Sequence, residues 1–310
     1  MASPDIRPAG REDISEIVEL QAMVWQDHFL KERNMRVPIM RRSRRNMEYY
    51  IGKDLEGCFV AVDGRKIVGS IISHAWGAMG WFGPLEVNPV CQGKGYGRAL
   101  VARSVEYLRS RGCTTIGCET MAGSPYNIAF YRKMGFRAAS LSYVLFKRLA
   151  PPTPESVTPV HARALDPAKD IGKCREMWNR ILPGLDYSVE LASVGEKELG
   201  HVWVMDTPSG PAHAIVHTYE MFEESQNAII KLLVAGKEDG ETAGTLLDRC
   251  EISAAMLGKT GMFLRTYDAS PPDLNWFFRR GYELQGTSVR LILEGPDESD
   301  KMLHVSCWSG

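Results

Sequence analysis

The chain has no cysteine pair at metal-ligand spacing, no long apolar run and no excess of charge of one sign. Its seven cysteines are odd in number and scattered, which predicts free thiols in a reducing compartment. The amino terminus lacks the apolar core of a signal peptide, and no stretch approaches the roughly 20 apolar residues of a membrane span. A formal net charge of -1 gives no reason to expect nucleic acid or a membrane as partner. We therefore expect a soluble cytoplasmic protein without a metal.

The composition is that of a globular protein, and 310 residues suffice for two cores. Repeated prolines between 149 and 159 forbid helix and predict an extended linker. We place domains at 1–149 and 159–310, with a Pro-rich linker at 150–158. Apolar periodicity predicts alternating helices and strands, with an early hairpin that turns at Asp63 and Gly64. The predicted fold class is α/β, with a mixed twisted sheet flanked by helices in each half.

The second half repeats the order of the first. The segment GRAL at 97–100 stands 147 positions before GTLL at 244–247, and FYRKMGF at 130–136 stands 146 before WFFRRGY at 276–282. Near the start of each half, Asp13 corresponds to Asp170, and a helix is predicted after both. We interpret the two halves as copies of one fold.

A glycine-rich segment, VNPVCQGKGYGR at 87–98, leads straight into an amphipathic helix. Gly93, Gly95 and Gly97 stand at alternate positions, so the backbone can turn tightly and point successive amides into one concavity. Such a nest at a helix start suits phosphate, and Lys94 and Arg98 add positive charge at the same end. The alternative is a glycine-rich turn without a ligand.

A second pattern follows in the segment NIAFYRKMGF at 127–136, which reads N-x-x-x-Y-x-K-x-G-F. With the loop QGKGYG at 92–97 and the order of elements across 1–148, it resembles the GCN5-related N-acetyltransferase (GNAT) family. The resemblance implies two tandem GNAT-like domains. It also implies an acyl-CoA-dependent N-acyltransferase, with acetyl-CoA as donor, that acylates a primary amine of a small molecule by direct attack.

The resemblance also assigns the residues that bind the acyl donor. In the family, the strand before the loop separates from its neighbour, and its free amides hold the pantetheine arm and the thioester carbonyl. The loop and the start of the next helix hold the pyrophosphate. The residues expected in these roles are Leu85, Val87, Gln92, Gly93, Lys94, Gly95, Tyr96, Gly97, Arg98 and Asn127.

The chemistry of the transfer asks for further groups. An amine that attacks a thioester forms an oxyanion and expels a thiolate, so the site needs an oxyanion donor, a proton donor and a base. Tyr131 is the predicted proton donor, because a phenol with a pKa of about 10 is protonated at neutral pH. Its alternative is a core aromatic residue. Asn127 shares its helix face. Glu86 is the predicted base, Glu119 is the other candidate, and both can equally be structural carboxylates.

The acceptor side of the predicted cleft includes an arginine run, RRSRR at 41–45. We expect this run to be a solvated surface. If it borders the cleft, it favours an acceptor that carries a carboxylate or a phosphate. The aromatic residues between 76 and 82 are expected to pack within a hairpin.

The second half lacks the groups that the reaction needs. The segment DGETA at 239–243 replaces QGKGY at 92–96, so a glycine is lost and carboxylates that repel pyrophosphate are gained. Phe277, which cannot donate a proton, replaces Tyr131. We predict a degenerate, inactive copy that covers an acceptor groove, forms a homodimer surface or binds another ligand.

Two other functions remain open at this point. The chain can be an acyl-CoA-binding sensor or scaffold without significant turnover, or an acyltransferase that acts on protein amines. The presence of Tyr131 beside Asn127 favours catalysis over the sensor. Nothing in the sequence separates a small amine from a protein amine, because acceptor specificity resides in variable loops.

Overall fold

The structure is a computed structural model that describes residues 4–36, 39, 41–152, 162–268, 272–298 and 301–307. Residues 153–158 of the predicted linker lie outside the described residues. The elements of the first half are, in chain order, β1 (Asp5–Pro8), α1 (Ile14–Arg33), α2 (Arg44–Lys53), β2 (Cys58–Asp63), β3 (Lys66–Trp76), β4 (Met79–Val87), α3 (Tyr96–Ser110), β5 (Thr115–Met121), α4 (Pro125–Arg132) and β6 (Arg137–Arg148). This order confirms the helices and strands that the periodicity predicts.

The second half follows the same order and ends with one additional strand. Its elements are β7 (Arg163–Ala164), α5 (Pro167–Ile181), α6 (Ser188–Glu196), β8 (Gly200–Thr207), β9 (Gly210–His217), β10 (Asn227–Gly236), α7 (Gly240–Met256), β11 (Gly261–Tyr267), α8 (Leu274–Arg279), β12 (Glu283–Glu294) and β13 (Met302–Ser306). Strands β1 to β6 correspond to β7 to β12, so β13 is the addition.

The first helix of each half begins with the same clamp. In the first half, the Asp13 carboxylate accepts hydrogen bonds from both terminal nitrogens of Arg7 at 2.7 and 2.8 Å. In the second half, Asp170 accepts the same pair of bonds from Arg163 at 2.6 and 2.8 Å. The repeat that aligns Asp13 with Asp170 is therefore also a repeat of side-chain contacts.

The two halves share one continuous sheet. Its strand order is β1-β2-β3-β4-β5-β12-β6-β11-β10-β9-β8-β7, and β13 pairs with β10. The last repeated strands are exchanged, because β12 of the second half lies beside β5 while β6 of the first half lies beside β11. The predicted mixed α/β fold is confirmed, but no sequence pattern indicates that the sheets of the two halves are joined in this way.

The exchange creates a local two-fold relation at the centre of the sheet. Ser142 of β6 pairs in register with Ser288 of β12, and these serines are 146 positions apart, as the repeat requires. On either side of this pair, Glu119 of β5 and Arg265 of β11 hold equivalent positions, also 146 apart. A residue of one half thus faces its own counterpart from the other half.

Buried polar contacts also join the halves on the face of the sheet that carries α1, α2, α5 and α6. Lys53 of α2 forms an ion pair with Glu190 of α6, and both side chains are buried. Glu190 also accepts hydrogen bonds from Tyr49 and, at 2.7 Å, from the indole of Trp76. Backbone bonds cross the same boundary, for example from Ala78 to the Gly184 carbonyl at 2.8 Å. The second half is thus an integral part of the structure around the first.

Candidate active site

The glycine-rich loop forms an open cradle at the start of α3. Gly93 and Gly95 have φ values of +77° and +94°, a backbone conformation that favours glycine. A Cβ placed on either residue would meet nothing within 4 Å, so the space above the loop is free for a ligand. The side chains of Lys94 and Arg98 are exposed at the same helix end. This geometry suits a phosphate group, which backbone amides and the helix dipole both stabilise.

Two other loop residues use their side chains within the protein. Gln92 donates a hydrogen bond from its amide to the Val87 carbonyl at 3.3 Å, which folds the loop back against β4. Tyr96 lies near Asp63 in the turn between β2 and β3, and desolvation and this carboxylate raise the pKa of its phenol. These two residues therefore shape the cradle, and their backbone groups remain for the ligand.

From the cradle, an edge of β4 that pairs with no other strand among the described residues leads into the sheet. The parallel ladder between β4 and β5 ends at Phe82 and Cys118, although β4 continues to Val87. The Asn88 amide donates a hydrogen bond to the Val68 carbonyl on β3 at 2.8 Å. The backbone N–H and C=O groups of successive residues in a strand point to opposite edges of that strand. The backbone groups of Leu85 and Val87 therefore point away from β3, into the gap beside β5. Both residues are partly exposed there.

Tyr131 lies at the closed end of this gap. Its ring is 7% exposed and packs against Phe82 and Phe136 at centroid distances of 6.2 and 5.5 Å. Its hydroxyl faces the thiol of Cys118, the β5 residue at which the ladder between β4 and β5 ends. Burial, together with Cys118, raises the pKa of Tyr131 well above its ordinary value. The phenol is therefore protonated at neutral pH and can donate its proton at the end of the gap.

Asn127 precedes Tyr131 by one turn of α4 and is partly exposed. The two side chains share a helix face, as the spacing predicts. The position of Tyr131 is compatible with both alternatives, a core aromatic residue and a proton donor. Its ring packs in the core, and its hydroxyl also reaches the strand that borders the gap.

Glu86 lies on the opposite face of β4, where it is 3% exposed. Its carboxylate accepts a hydrogen bond from Arg42 at 2.7 Å, and the hydroxyl of Ser70 lies at 3.4 Å. Arg42 itself is 1% exposed. Glu86 and Arg42 therefore form a buried ion pair on the face of β4 opposite to Leu85 and Val87.

Glu119 follows the last ladder residue of β5, so its side chain points to the same face as Glu86. It accepts hydrogen bonds from Arg265, from Ser142 at 3.0 Å and from Arg290 at 3.4 Å. A cavity of about 10 Å³, close to the space that one water needs, lies beside it. The residues that line this cavity are Trp76, Met79, Trp81, Glu119, Arg290, Glu298 and Ser306.

The arginine run differs from its predicted solvated surface at one position. Arg41, Arg44 and Arg45 are exposed, and Arg41 and Arg44 form ion pairs with Glu19 and Glu48. Arg42 is instead buried against Glu86. The expectation was wrong for this residue because α2 begins only at Arg44, so the extended residues before it can turn a side chain inward.

Three arginines of the site were missed by sequence reasoning. Arg42 was hidden in a run of like residues, and Arg265 and Arg290 reach Glu119 only through the strand exchange. The repeat offset was the available signal, since it aligns Arg265 with Glu119.

The equivalent gap in the second half is filled by β13. Strand β10 pairs with β11 only from Asn227 to Ile229, so the two strands separate as β4 and β5 do. β13 then pairs with β10 from Leu232 to Gly236. The repeat aligns Leu232 to Val234 with Leu85 to Val87, 147 positions earlier. The protein's own chain therefore occupies the edge that remains open in the first half.

A residue of the second half also caps the amino-terminal end of helix α7. Asp239 caps α7 by accepting a hydrogen bond from the Thr242 amide at 3.3 Å. Phe277, at the position of Tyr131, is buried in an apolar core. His213 and His217 are both buried, and desolvation lowers their pKa values.

Among the described residues, no group of three or more metal-ligating side chains could hold a metal ion. All seven cysteines lie within the described residues and are free thiols. Within the described part of the chain, no helix has the length and apolar character required to cross a bilayer.

The first half thus combines a mixed open sheet with a glycine-rich cradle beside two strands that separate. The sequence model of the Acetyltransferase (GNAT) family matches residues 19–136. Residues 19–136 therefore contain a GNAT-family acetyltransferase domain. Members of this family transfer an acyl group from acyl-CoA, with acetyl-CoA as co-substrate. A search of curated protein sequences found no match.

Solved structures share the whole architecture. A GCN5-related N-acetyltransferase from Sphaerobacter thermophilus is 18% identical with a TM-score of 0.63, over 96% of this chain and 98% of that one. A tandem GNAT protein from the clavulanic acid biosynthesis pathway is 16% identical with a TM-score of 0.60, over 95% of this chain and 100% of that one. At this identity the likeness concerns the fold, and it extends through both halves.

Proposed function

We propose that the chain transfers the acyl group of acetyl-CoA to a primary amine of a small molecule, in the cleft of the first half. The observation that carries this proposal is the open edge of β4, which runs from the glycine cradle to the buried phenol of Tyr131. The amides of Gly93 to Gly97 would hold the pyrophosphate, helped by Lys94 and Arg98. Leu85 and Val87 would hold the pantetheine arm.

The residues at the closed end of the gap supply the chemistry. As the amine nitrogen bonds to the thioester carbon, a backbone amide of β4 donates to the carbonyl oxygen that becomes negative. Tyr131 gives its proton to the sulfur as the carbon–sulfur bond breaks, so coenzyme A leaves as a thiol. The phenol is protonated at neutral pH, so it carries the proton that the departing sulfur needs.

The amine loses one proton in the same reaction, and a carboxylate on the acceptor face would receive it. Glu86 and Glu119 both face that side. Glu119 directly follows the end of the β4–β5 ladder and borders the water-sized cavity, whereas Glu86 lies further along β4. These contacts favour Glu119 with a bridging water, and they give Glu86 the role of a partner for Arg42.

We further propose that each chain has a single site. The second half lacks the phenol, caps its own helix with Asp239 and fills its gap with β13. Its retained role would be to support the first half, with which it shares a sheet.

Release of free thiol from acetyl-CoA, measured across a panel of amines, tests the proposal. We expect turnover with at least one small primary amine, and a kcat lowered about 100-fold in Tyr131→Phe because the proton donor is removed. Tyr126→Phe is the matched control, since Tyr126 is an exposed phenol on the same helix. Unchanged turnover in Tyr131→Phe would reject the proposed acid. Binding of acetyl-CoA without turnover for any amine would indicate a sensor, and turnover with peptide amines alone would indicate a protein acyltransferase.

The variants Glu119→Gln and Glu86→Gln distinguish which of the two carboxylates acts as the base. We expect the larger loss of kcat in Glu119→Gln, at least tenfold, with little change in acetyl-CoA affinity. A larger loss of kcat in Glu86→Gln would indicate that Glu86 is the base.

A further inference from the structure

The carboxylate of Glu119 obtains its positive partners from the second half. Glu119 and Arg265 occupy equivalent positions about the Ser142–Ser288 pair, so the strand exchange brings them into contact. If both copies had glutamate here, two buried carboxylates would meet and repel one another. An arginine in the second copy replaces that repulsion with an ion pair.

The contacts hold one orientation of the Glu119 carboxylate. Arg265 Nη1 donates to Oε2, and the same nitrogen lies 3.2 Å from the hydroxyl of Ser288. Ser142 donates to the same Oε2 at 3.0 Å. Arg290 donates to the other oxygen at 3.4 Å. Both carboxylate oxygens are therefore engaged, with the second half supplying each guanidinium.

Burial makes these contacts consequential. The side chain of Glu119 is 6% exposed and that of Arg265 is 14% exposed. A carboxylate removed from water needs nearby compensation, or its ionised form becomes costly. Arg290 also forms ion pairs with Asp297 at 2.8 Å and with Glu298 at 3.3 Å. Three carboxylates, including that of Glu119, therefore share its positive charge. Arg265 is thus the cation whose observed ion pair is with Glu119.

We propose that Arg265 is a positioning residue for acyl transfer in the first half. Its guanidinium fixes Glu119 beside the end of the β4–β5 ladder, where the proposed reaction occurs. The second half therefore completes the active site, although it binds no acyl donor itself. This inference rests on the proposed function and concerns the same cleft.

Steady-state kinetics of Arg265→Met, Glu119→Gln and the double variant test the proposal. We expect Arg265→Met to lower kcat at least tenfold with the KM for acetyl-CoA unchanged within about twofold. The double variant should be no slower than Glu119→Gln alone, because Arg265 acts through that carboxylate. Arg265→Lys should recover part of kcat, since it restores the charge without the planar fork.

Arg280→Met is the matched control, because Arg280 pairs with Asp248 in the second half, away from the cleft. It should leave kcat unchanged. A kcat within twofold of the parent in Arg265→Met, or losses that multiply in the double variant, would overturn the inference. If Arg265→Met fails to fold, Arg265→Lys decides, and an unchanged or abolished kcat there counts against the proposal. Absence of turnover in the parent chain would instead contradict the proposed function.

Discussion

The two gaps in the sheet of this protein have the same origin and different contents. In each half a central strand separates from its parallel neighbour after a short ladder, at Phe82 in the first half and at Ile229 in the second. The first gap keeps a free strand edge, a glycine cradle and a phenol. The second holds β13, and the helix beyond it is capped by Asp239. The same fold can therefore leave the gap between the two strands open, as in the first half, or fill it with a strand of its own chain, as in the second.

The second half nevertheless contributes to the first. It supplies β12 as the neighbour of β5, two guanidinium groups to Glu119, and Glu190 as a buried partner for Lys53. The two halves thus share a sheet and buried ion pairs, although their gaps have different contents.

The largest effect is expected where the halves are joined. Lys53→Met should lower the free energy of unfolding by about 3 kcal/mol, because it leaves the buried carboxylate of Glu190 without its ion-pair partner. Denaturant unfolding measures this. Lys31→Met removes a surface ion pair with Asp27 and should cost less than about 0.5 kcal/mol. Equal effects in the two variants would mean that the junction adds no specific stability.

A smaller effect is expected where the halves differ. Gly95→Ala should raise the Kd for acetyl-CoA about tenfold, because φ at Gly95 is +94° and a Cβ would enter the open cradle. Gly112→Ala is the control for backbone strain alone. Gly112 has φ of +80° and similarly open surroundings, but it follows the far end of α3. If both variants weaken binding equally in calorimetry, strain and not the cradle explains the loss.

The smallest effects should be equal in the two halves, because the clamps at Asp13 and Asp170 are alike. Asp13→Asn and Asp170→Asn should each cost about 1 kcal/mol at pH 7. Hydrogen bonds from Arg7 and Arg163 lower the pKa values of these carboxyls. Their stabilisation is therefore present above the unfolded pKa of about 3.9 and is lost as the pH falls through the lowered native values.

Thermal unfolding between pH 7 and pH 2 tests this equality. The difference in Tm between the parent chain and each variant should be constant near neutral pH and shrink below about pH 4. A difference that grows on acidification, or one confined to a single half, would argue against equivalent clamps.

Local signals predicted much of the fold and the cradle. The glycines at 93 and 95 were recognisable because their backbone conformation restricts the residue type, and Tyr131 because its helix motif has fixed spacing. The element order followed from apolar periodicity, which is a property of each segment alone. These features need no knowledge of distant neighbours.

The strand exchange and the filled gap could not be predicted in this way. Strands β6 and β12 have similar patterns, so either one satisfies the edge of β5 as far as local sequence can tell. β13 has no counterpart in the first half, and nothing in its five residues indicates that it pairs with β10. The surroundings of Glu119 depend on Arg265, a residue 146 positions away that only the assembled sheet brings close.

Calorimetric titration of acetyl-CoA into the intact chain tests whether the donor binds only in the first half. We expect one equivalent bound per chain, and none detectable when Gly93→Ala and Gly95→Ala are combined. Two equivalents per chain, or one that persists in the double variant, would show that the second half binds the donor and would contradict a single site in the first.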